Sequence, residues 1–175
     1  MGERSRPMGR AALRAVVLGA ALGVGIKLFA ADILRVSGNS MEPAIREGSR
    51  IIVNKLSYGF SLPFSSELLI QWAAPQRGDV VIYIYGSKTV VKRCVAAGGD
   101  GLAFSPGPSP ESAYAVSVNG RTFPLTEGQY QRFKHTPAVP RGFIFAVGDN
   151  EADSVDSRQY GFVSVRNILG KVVCK

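Results

Sequence analysis

Val80-Val81-Ile82-Tyr83-Ile84-Tyr85, then Gly86-Ser87-Lys88, then Thr89-Val90-Val91-Lys92-Arg93-Cys94-Val95: two β-branched runs stand on either side of a glycine turn. Such residues suit a pleated, half-buried surface, and the runs are too short for stable helices. They read as neighbouring strands. Side chains alternate along a strand, so Val90, Lys92 and Cys94 share one face while Val91, Arg93 and Val95 share the other. A lysine between two apolar neighbours is either solvated by a different register or held in an apolar setting for its chemistry. Lys88, in the turn, reads as an ordinary exposed lysine.

Further runs of the same kind lie outward from this pair. Arg50–Asn54, Phe143–Val147 and Gly170–Val173 read as strands. Tyr114–Val118 and Arg121–Leu125 flank Asn119-Gly120, the strongest short signal for a two-residue hairpin. The run 105–110 (Ser-Pro-Gly-Pro-Ser-Pro) reads as a loop. A short helix is expected near Ser66–Trp72. Phe60, Leu62, Phe64, Leu68, Leu69 and Trp72 suit either a bilayer surface or a core cover. The expected fold is all-β: a mostly antiparallel sheet behind one N-terminal transmembrane helix.

Hydrophobic residues make up 46% of the 175, too many for a disordered chain, and the length suits one domain with a modest core. The formal charge of +8 fits an anionic membrane face. No dense Lys/Arg stripe with interleaved aromatics marks a nucleic-acid surface. Two cysteines and one histidine argue against a four-ligand zinc site, and no cofactor or metal is expected. Cys94 reads as a core residue and His135 as a loop residue, although a Cys-His nucleophile pair is formally open. Whether Cys94 and Cys174 are joined is also open.

The N-terminal segment has arginines at 4, 6, 10 and 14, then an apolar run from Ala15 to Ile26, Lys27, and Leu28–Ala31. Counted through Lys27, the stretch reaches about 17 residues, the lower limit for a membrane span. The Lys27 stem can lie in hydrocarbon while its ammonium reaches the interface. The arginines should stay cytoplasmic. The expected division is therefore a tail and single-pass plasma-membrane anchor over residues 1–31 and an extracytoplasmic domain over 32–175. Residues 101–140 would be a reduced hairpin insert. A cleaved leader ending near Ala30 and Ala31, and a buried helix of a soluble protein, are the alternatives.

Ser40 sits just past the anchor in Val36-Ser37-Gly38-Asn39-Ser40-Met41-Glu42-Pro43. A serine hydroxyl attacks an amide only when a base removes its proton, and one histidine in a loop makes no credible triad. A lysine can serve if desolvation lowers its pKa from about 10.4. Lys92 is the candidate. Ser154 could orient its amine. Backbone N–H groups of the Gly38–Ser40 turn could hold an oxyanion. Asp149, Asp153 and Asp156 could instead form a metal loop, but no bidentate glutamate stands at the expected spacing.

These residues resemble the bacterial type I signal peptidases, the serine-lysine leader peptidases. Ser40-Met41-Glu42-Pro43 matches Ser-Met-x-Pro, Arg77-Gly78-Asp79 matches Arg-Gly-Asp, and Val91-Lys92-Arg93 matches the run carrying the base. Gly148-Asp149-Asn150, Ser154-x-Asp156-Ser157-Arg158 and Gly161-x-Val163 match the last signature. The resemblance implies a β-rich endopeptidase that removes signal peptides from exported preproteins after small residues, in an Ala-x-Ala pattern. Ser40 would be the nucleophile, Lys92 the general base and Ser154 its orienting group. The oxyanion would rest on Ser40 N–H with Gly38 beside it. Val36, Met41, Ile45 and Val91 would line shallow pockets for substrate positions −1 and −3. Arg93 would pair with Asp149, and Asp156 with Arg158. Gly38 departs from members that carry a serine there, and Ala96-Ala97-Gly98-Gly99-Asp100 replaces the usual Gly-Leu-Pro-Gly-Asp.

Three other readings are weighed against it. A self-cleaving serine-lysine repressor domain should carry a DNA-binding segment rather than an anchor. A specialised pilin- or conjugation-type peptidase would differ only in substrate. A non-catalytic, membrane-tethered peptide-binding β-module explains strands, anchor and charge, but not a serine, a lysine and a serine in those three runs.

Overall fold

The computed structural model describes residues 8–63 and 65–174. The arginines at 4 and 6 and the aromatic ring of Phe64 lie outside the described residues. Helix α1 (Met8–Gly25) runs into a π-helical turn (Ile26–Ala30) and directly into strand β1 (Ala31–Arg35). Ala11–Ala30 is helical, apolar and long enough to cross a membrane, and none of it is buried.

The helix end is fastened to the sheet. Strand β2 (Arg50–Asn54) pairs with β1 from Ala31↔Asn54 to Arg35↔Arg50. Just beyond β2, Lys55 N–H donates to Ala30 O at 2.8 Å. Lys55 Nζ donates to Lys27 O at 2.8 Å and sits 3.4 Å from Asp32. A cation at the carbonyl end of a helix meets both the unpaired carbonyls and the negative end of the dipole.

The remaining strands are short, as the alternation predicts. They are β3 (Gly59–Phe60), β4 (Ile70–Gln71), β5 (Val80–Tyr85), β6 (Lys88–Ala97), β7 (Ala103–Pro106), β8 (Tyr114–Val118), β9 (Arg121–Leu125), β10 (Phe143–Val147), β11 (Val163–Ser164) and β12 (Ile168–Cys174). Helices α2 (Glu127–Phe133) and α3 (Ser157–Tyr160) are brief. Seven strands form one sheet in the order β1-β2-β12-β5-β6-β10-β11, and every pairing in it is antiparallel. The fold is mostly antiparallel β with few helices.

Two expectations change. No helix forms at Ser66–Trp72; Ile70–Gln71 instead pairs with Gly59–Phe60. Leu69 N–H donates to Phe60 O and Trp72 N–H to Tyr58 O. A Cβ at Gly59 would strike the Ile70 carbonyl, so the two segments meet as closely as they do because residue 59 has no side chain. Of the six apolar residues weighed there, Leu68 is buried while Leu62, Leu69 and Trp72 are exposed. Second, the proline-rich loop begins as strand β7, which pairs with β8 to make the hairpin a three-stranded sheet.

Helix α2 covers that small sheet. Thr126 and Gln129 cap it reciprocally, each side chain accepting the other's backbone N–H. Its last residue, Phe133, meets Phe145 and Phe162 edge-on with ring centroids 5.6 and 5.2 Å apart. Phe133, Phe145 and Phe123 are fully buried, and each such ring contributes roughly 1.5–3 kcal/mol by leaving water. A second cluster of Val81, Tyr83, Cys94, Ala146 and Ile168 fills one part of the main sheet. A third, of Val36, Met41, Ile45, Ile51, Val53 and Ile82, underlies the residues that follow the apolar helix.

Candidate active site

Strand β6 delivers Lys92 into the protein interior. It pairs with Val81 of β5, beside buried Cys94, and retains only 4% exposure. Lys92 Nζ donates to Ser40 Oγ at 2.7 Å, across 52 residues of sequence. Burial lowers the Lys92 pKa from the ordinary lysine value. Asp156 and Asp149 oppose that shift, and Arg158 reinforces it. The amine is therefore biased toward the neutral form that can accept a proton.

The turn carrying Ser40 is held from two sides. Val36 N–H donates to Ser49 O, and Gly48 N–H to Val36 O. Opposite, Asn150 N–H donates to Ser40 O at 3.0 Å and Asn150 Nδ2 to Asn39 O at 3.3 Å. Asn39 Nδ2 donates to Asp153 Oδ2 at 2.9 Å. The Ser40 turn and the 148–153 turn are thus sewn together. A Cβ on Gly148 would collide with Ser154 Oγ and stand 2.5 Å from Ser40 O, so glycine is needed there for packing.

Gly38 behaves differently from its expected part. Its φ of 92° lies in the region that favours glycine, and nothing crowds its missing side chain. Its N–H donates to Glu47 Oε1 at 3.0 Å, which takes it away from an oxyanion. Of the two expected donors, Ser40 N–H remains. Ser154 is 4% exposed, and among the described residues its Oγ has no hydrogen-bond partner; it lies against Gly148 rather than on Lys92.

Both expected ion pairs form. Arg93 grips Asp149 with two parallel bonds, Nε to Oδ1 at 2.7 Å and Nη2 to Oδ2 at 2.6 Å. Arg158 meets Asp156 at 2.9 Å on both oxygens, with side chains 5% and 0% exposed. Arg158 Nη2 also donates to Glu151 O, and Gly148 N–H donates to Asp156 Oδ2. These bonds supply the extra partners a buried pair requires. Asp149, Asp153 and Asp156, the alternative metal loop, each face a different protein partner.

A cleft of about 300 Å³ opens in front of the Ser40–Lys92 pair. Val36, Met41 and Val91 line it, with Leu34, Ile51 and Val90, which sequence reasoning had not singled out. Ile45 does not line it. Ile45 N–H donates to Met41 O, and that turn directs the side chain into the core beneath, at 1% exposure. The period-two pattern of β1 placed Leu34 and Val36 on one face and could have found the former.

The rival nucleophile is sealed away. Cys94 is fully buried, its thiol pushed up to about 12 first by that burial, while His135 is exposed after α2. Cys94 and Cys174 are both free thiols, the second exposed.

Residues 9–175 match the family described as "Signal peptidase, peptidase S26", and the chain belongs to that family. It is 28% identical to "Signal peptidase I" of Pseudomonas aeruginosa over 83% of this chain and 64% of that one. It is 30% identical to "Signal peptidase I" of Bacillus caldolyticus, covering 84% and 80% of the two chains. The chain thus spans slightly under two thirds of the Pseudomonas relative's length. A solved signal peptidase I from Enterococcus faecalis V583 superposes with a TM-score of 0.39 at 23% identity, over 57% of this chain and 97% of that one.

Proposed function

We propose that this chain is a membrane-anchored serine endopeptidase that removes signal peptides from exported preproteins after small residues. The observation that carries the reading is the 2.7 Å contact between Ser40 Oγ and a buried Lys92 amine whose pKa is lowered by burial.

With the amine neutral, Ser40 O–H donates to the Nζ lone pair and transfers its proton as Oγ attacks the scissile carbonyl. Ser40 N–H would receive the developing oxyanion. The ammonium of Lys92 then gives its proton to the leaving amine, and an acyl-Ser40 intermediate remains. Water, deprotonated by the regenerated neutral amine, releases the acyl group. Ser154 Oγ, buried and without a partner among the described residues, would accept from the Lys92 ammonium. The shallow apolar walls of Val36, Met41 and Val91 favour methyl-sized substrate side chains. The family membership and the exposed apolar helix support an extracytoplasmic domain on a single-pass anchor with a cytoplasmic N-terminus. Tethering enzyme and substrate to one bilayer raises their effective concentration.

The test is a mass-mapped digest of a preprotein carrying Ala-x-Ala before the cut, by wild type, Ser40→Ala and Lys92→Met. Cleavage at that bond by wild type alone is expected. Undiminished cleavage by either variant would sink the assignment. Stoichiometric labelling of Ser40 by a serine-directed acylating probe separates the enzyme from a non-catalytic peptide-binding module.

A further inference from the structure

The cleft carries two cations that the proton-transfer chemistry does not use. Arg35 ends β1 and Lys88 begins β6; both are exposed, and both line the cleft with Ser40 and Lys92. Among the described residues neither forms an ion pair, although Lys55, Arg93, Arg121, Arg158 and Lys171 all do. Among the described residues no carboxylate lines the cleft. Glu47, which shares an adjoining hollow with Arg35, accepts the Gly38 N–H. Lys92, neutral when it acts as base, adds no charge.

The spacing gives these cations a place along a bound chain. Lys88 lies on the same face of β6 as Lys92, four residues away, which is about 13 Å at roughly 3.3 Å per residue. An extended peptide advances by the same step. With its reacting carbonyl at Ser40 and residues −1 and −3 against the apolar walls, it brings residue −4 or −5 to Lys88, while Arg35 lines the same cleft.

We propose that Arg35 and Lys88 form a cationic selector that favours preproteins with an acidic side chain four or five residues before the cut and disfavours those with lysine there. The inference rests on the peptidase reading above and deepens it by naming a substrate feature. Selection works by repulsion as well as attraction, because a lysine in a cleft lined by two unpaired cations meets no compensating carboxylate among the described residues. The cations are exposed, so the preference is a modest one that salt screens.

The test uses the full chain in neutral detergent and three peptides that differ at one residue, position −4 or −5, as aspartate, asparagine or lysine. At low salt kcat/KM should fall in that order, about five-fold from aspartate to lysine, the scale of exposed ion pairs. Near ~0.5 M salt the order should flatten. The double variant Arg35→Glu/Lys88→Glu should reverse the order. Equal rates at low salt, with the asparagine peptide cleaved, overturn the selector alone. So does an unchanged order in the double variant, including the case where that variant loses only binding to phosphatidylglycerol vesicles; the cations then face lipid. Failure of wild type to cleave the asparagine peptide overturns the peptidase reading and the selector together.

Discussion

Lys88 and Lys92 stand on one face of one strand, and the protein treats them in opposite ways. Lys88 is exposed at the strand's start. Lys92 keeps 4% of its surface, touches Ser40 and has its pKa lowered by burial. Strand parity is identical, so parity is not what makes a base. The difference lies in what covers each residue. Over Lys92 fold the Ser40 turn and the 148–158 segment, locked by the Asp156–Arg158 pair; nothing comparable covers Lys88. The burial of Lys92 is thus made by long-range packing, not by its own strand.

Several measurements can break or sharpen that contrast. The largest effect belongs to the amine. Lys92→Met should lower kcat by about 10³-fold, the weight of a general base, with KM little changed. Next comes the cover. Arg158→Met leaves the Asp156 carboxylate buried without its partner and should cost about 3–5 kcal/mol in denaturant unfolding. It also removes a charge that lowers the Lys92 pKa, so any remaining activity should need a higher pH. If the pH profile does not move, the cover is not what tunes the amine.

Gly148→Ala should cost about 1–3 kcal/mol and reduce turnover, because the added methyl must displace Ser154 or the Ser40 carbonyl. A subtler outcome is the pH dependence. Activity should rise with pH as Lys92 loses its proton, with a midpoint below about 10.4. Between the folded value and that of a free lysine, the unfolded chain binds more protons than the native one. Stability should therefore climb with pH across that window in the wild type, and the Lys92→Met variant should lack that limb. A wild type and variant with parallel stability curves would mean the native amine is ordinary. The smallest effect is expected at the other lysine: Lys88→Met should slow an aspartate-bearing peptide by about two-fold, within the range of exposed pairs.

Strands were legible wherever β-branched residues alternated or an Asn-Gly turn marked a hairpin. β2, β5, β8, β9 and β10 run as their residues suggest. The run 66–72 misled because its apolar residues fit a helical turn, while the deciding contact, Gly59 against Ile70 O, spans eleven residues and has no local signature. Helix α2 was missed although Thr126-x-x-Gln129 spells a capping box; one buried residue, Phe133, is too little to show as a period. In the site, residue identities could be read from short runs, but contacts could not. That Gly38 N–H turns to Glu47, that Ser154 Oγ lacks a partner, and that Ile45 points beneath the cleft depend on backbone direction in irregular turns.

The bolt of Lys55 through the last turn of the apolar helix makes a gauge of the whole assembly. No slack tether separates helix from sheet; five residues of β1 and a short braced turn lead from Ala30 to Ser40. Their extended reach is at most about 35 Å. The Ser40 hydroxyl is therefore carried at a set height above the end of the helix, as a blade is carried above the bed of a plane.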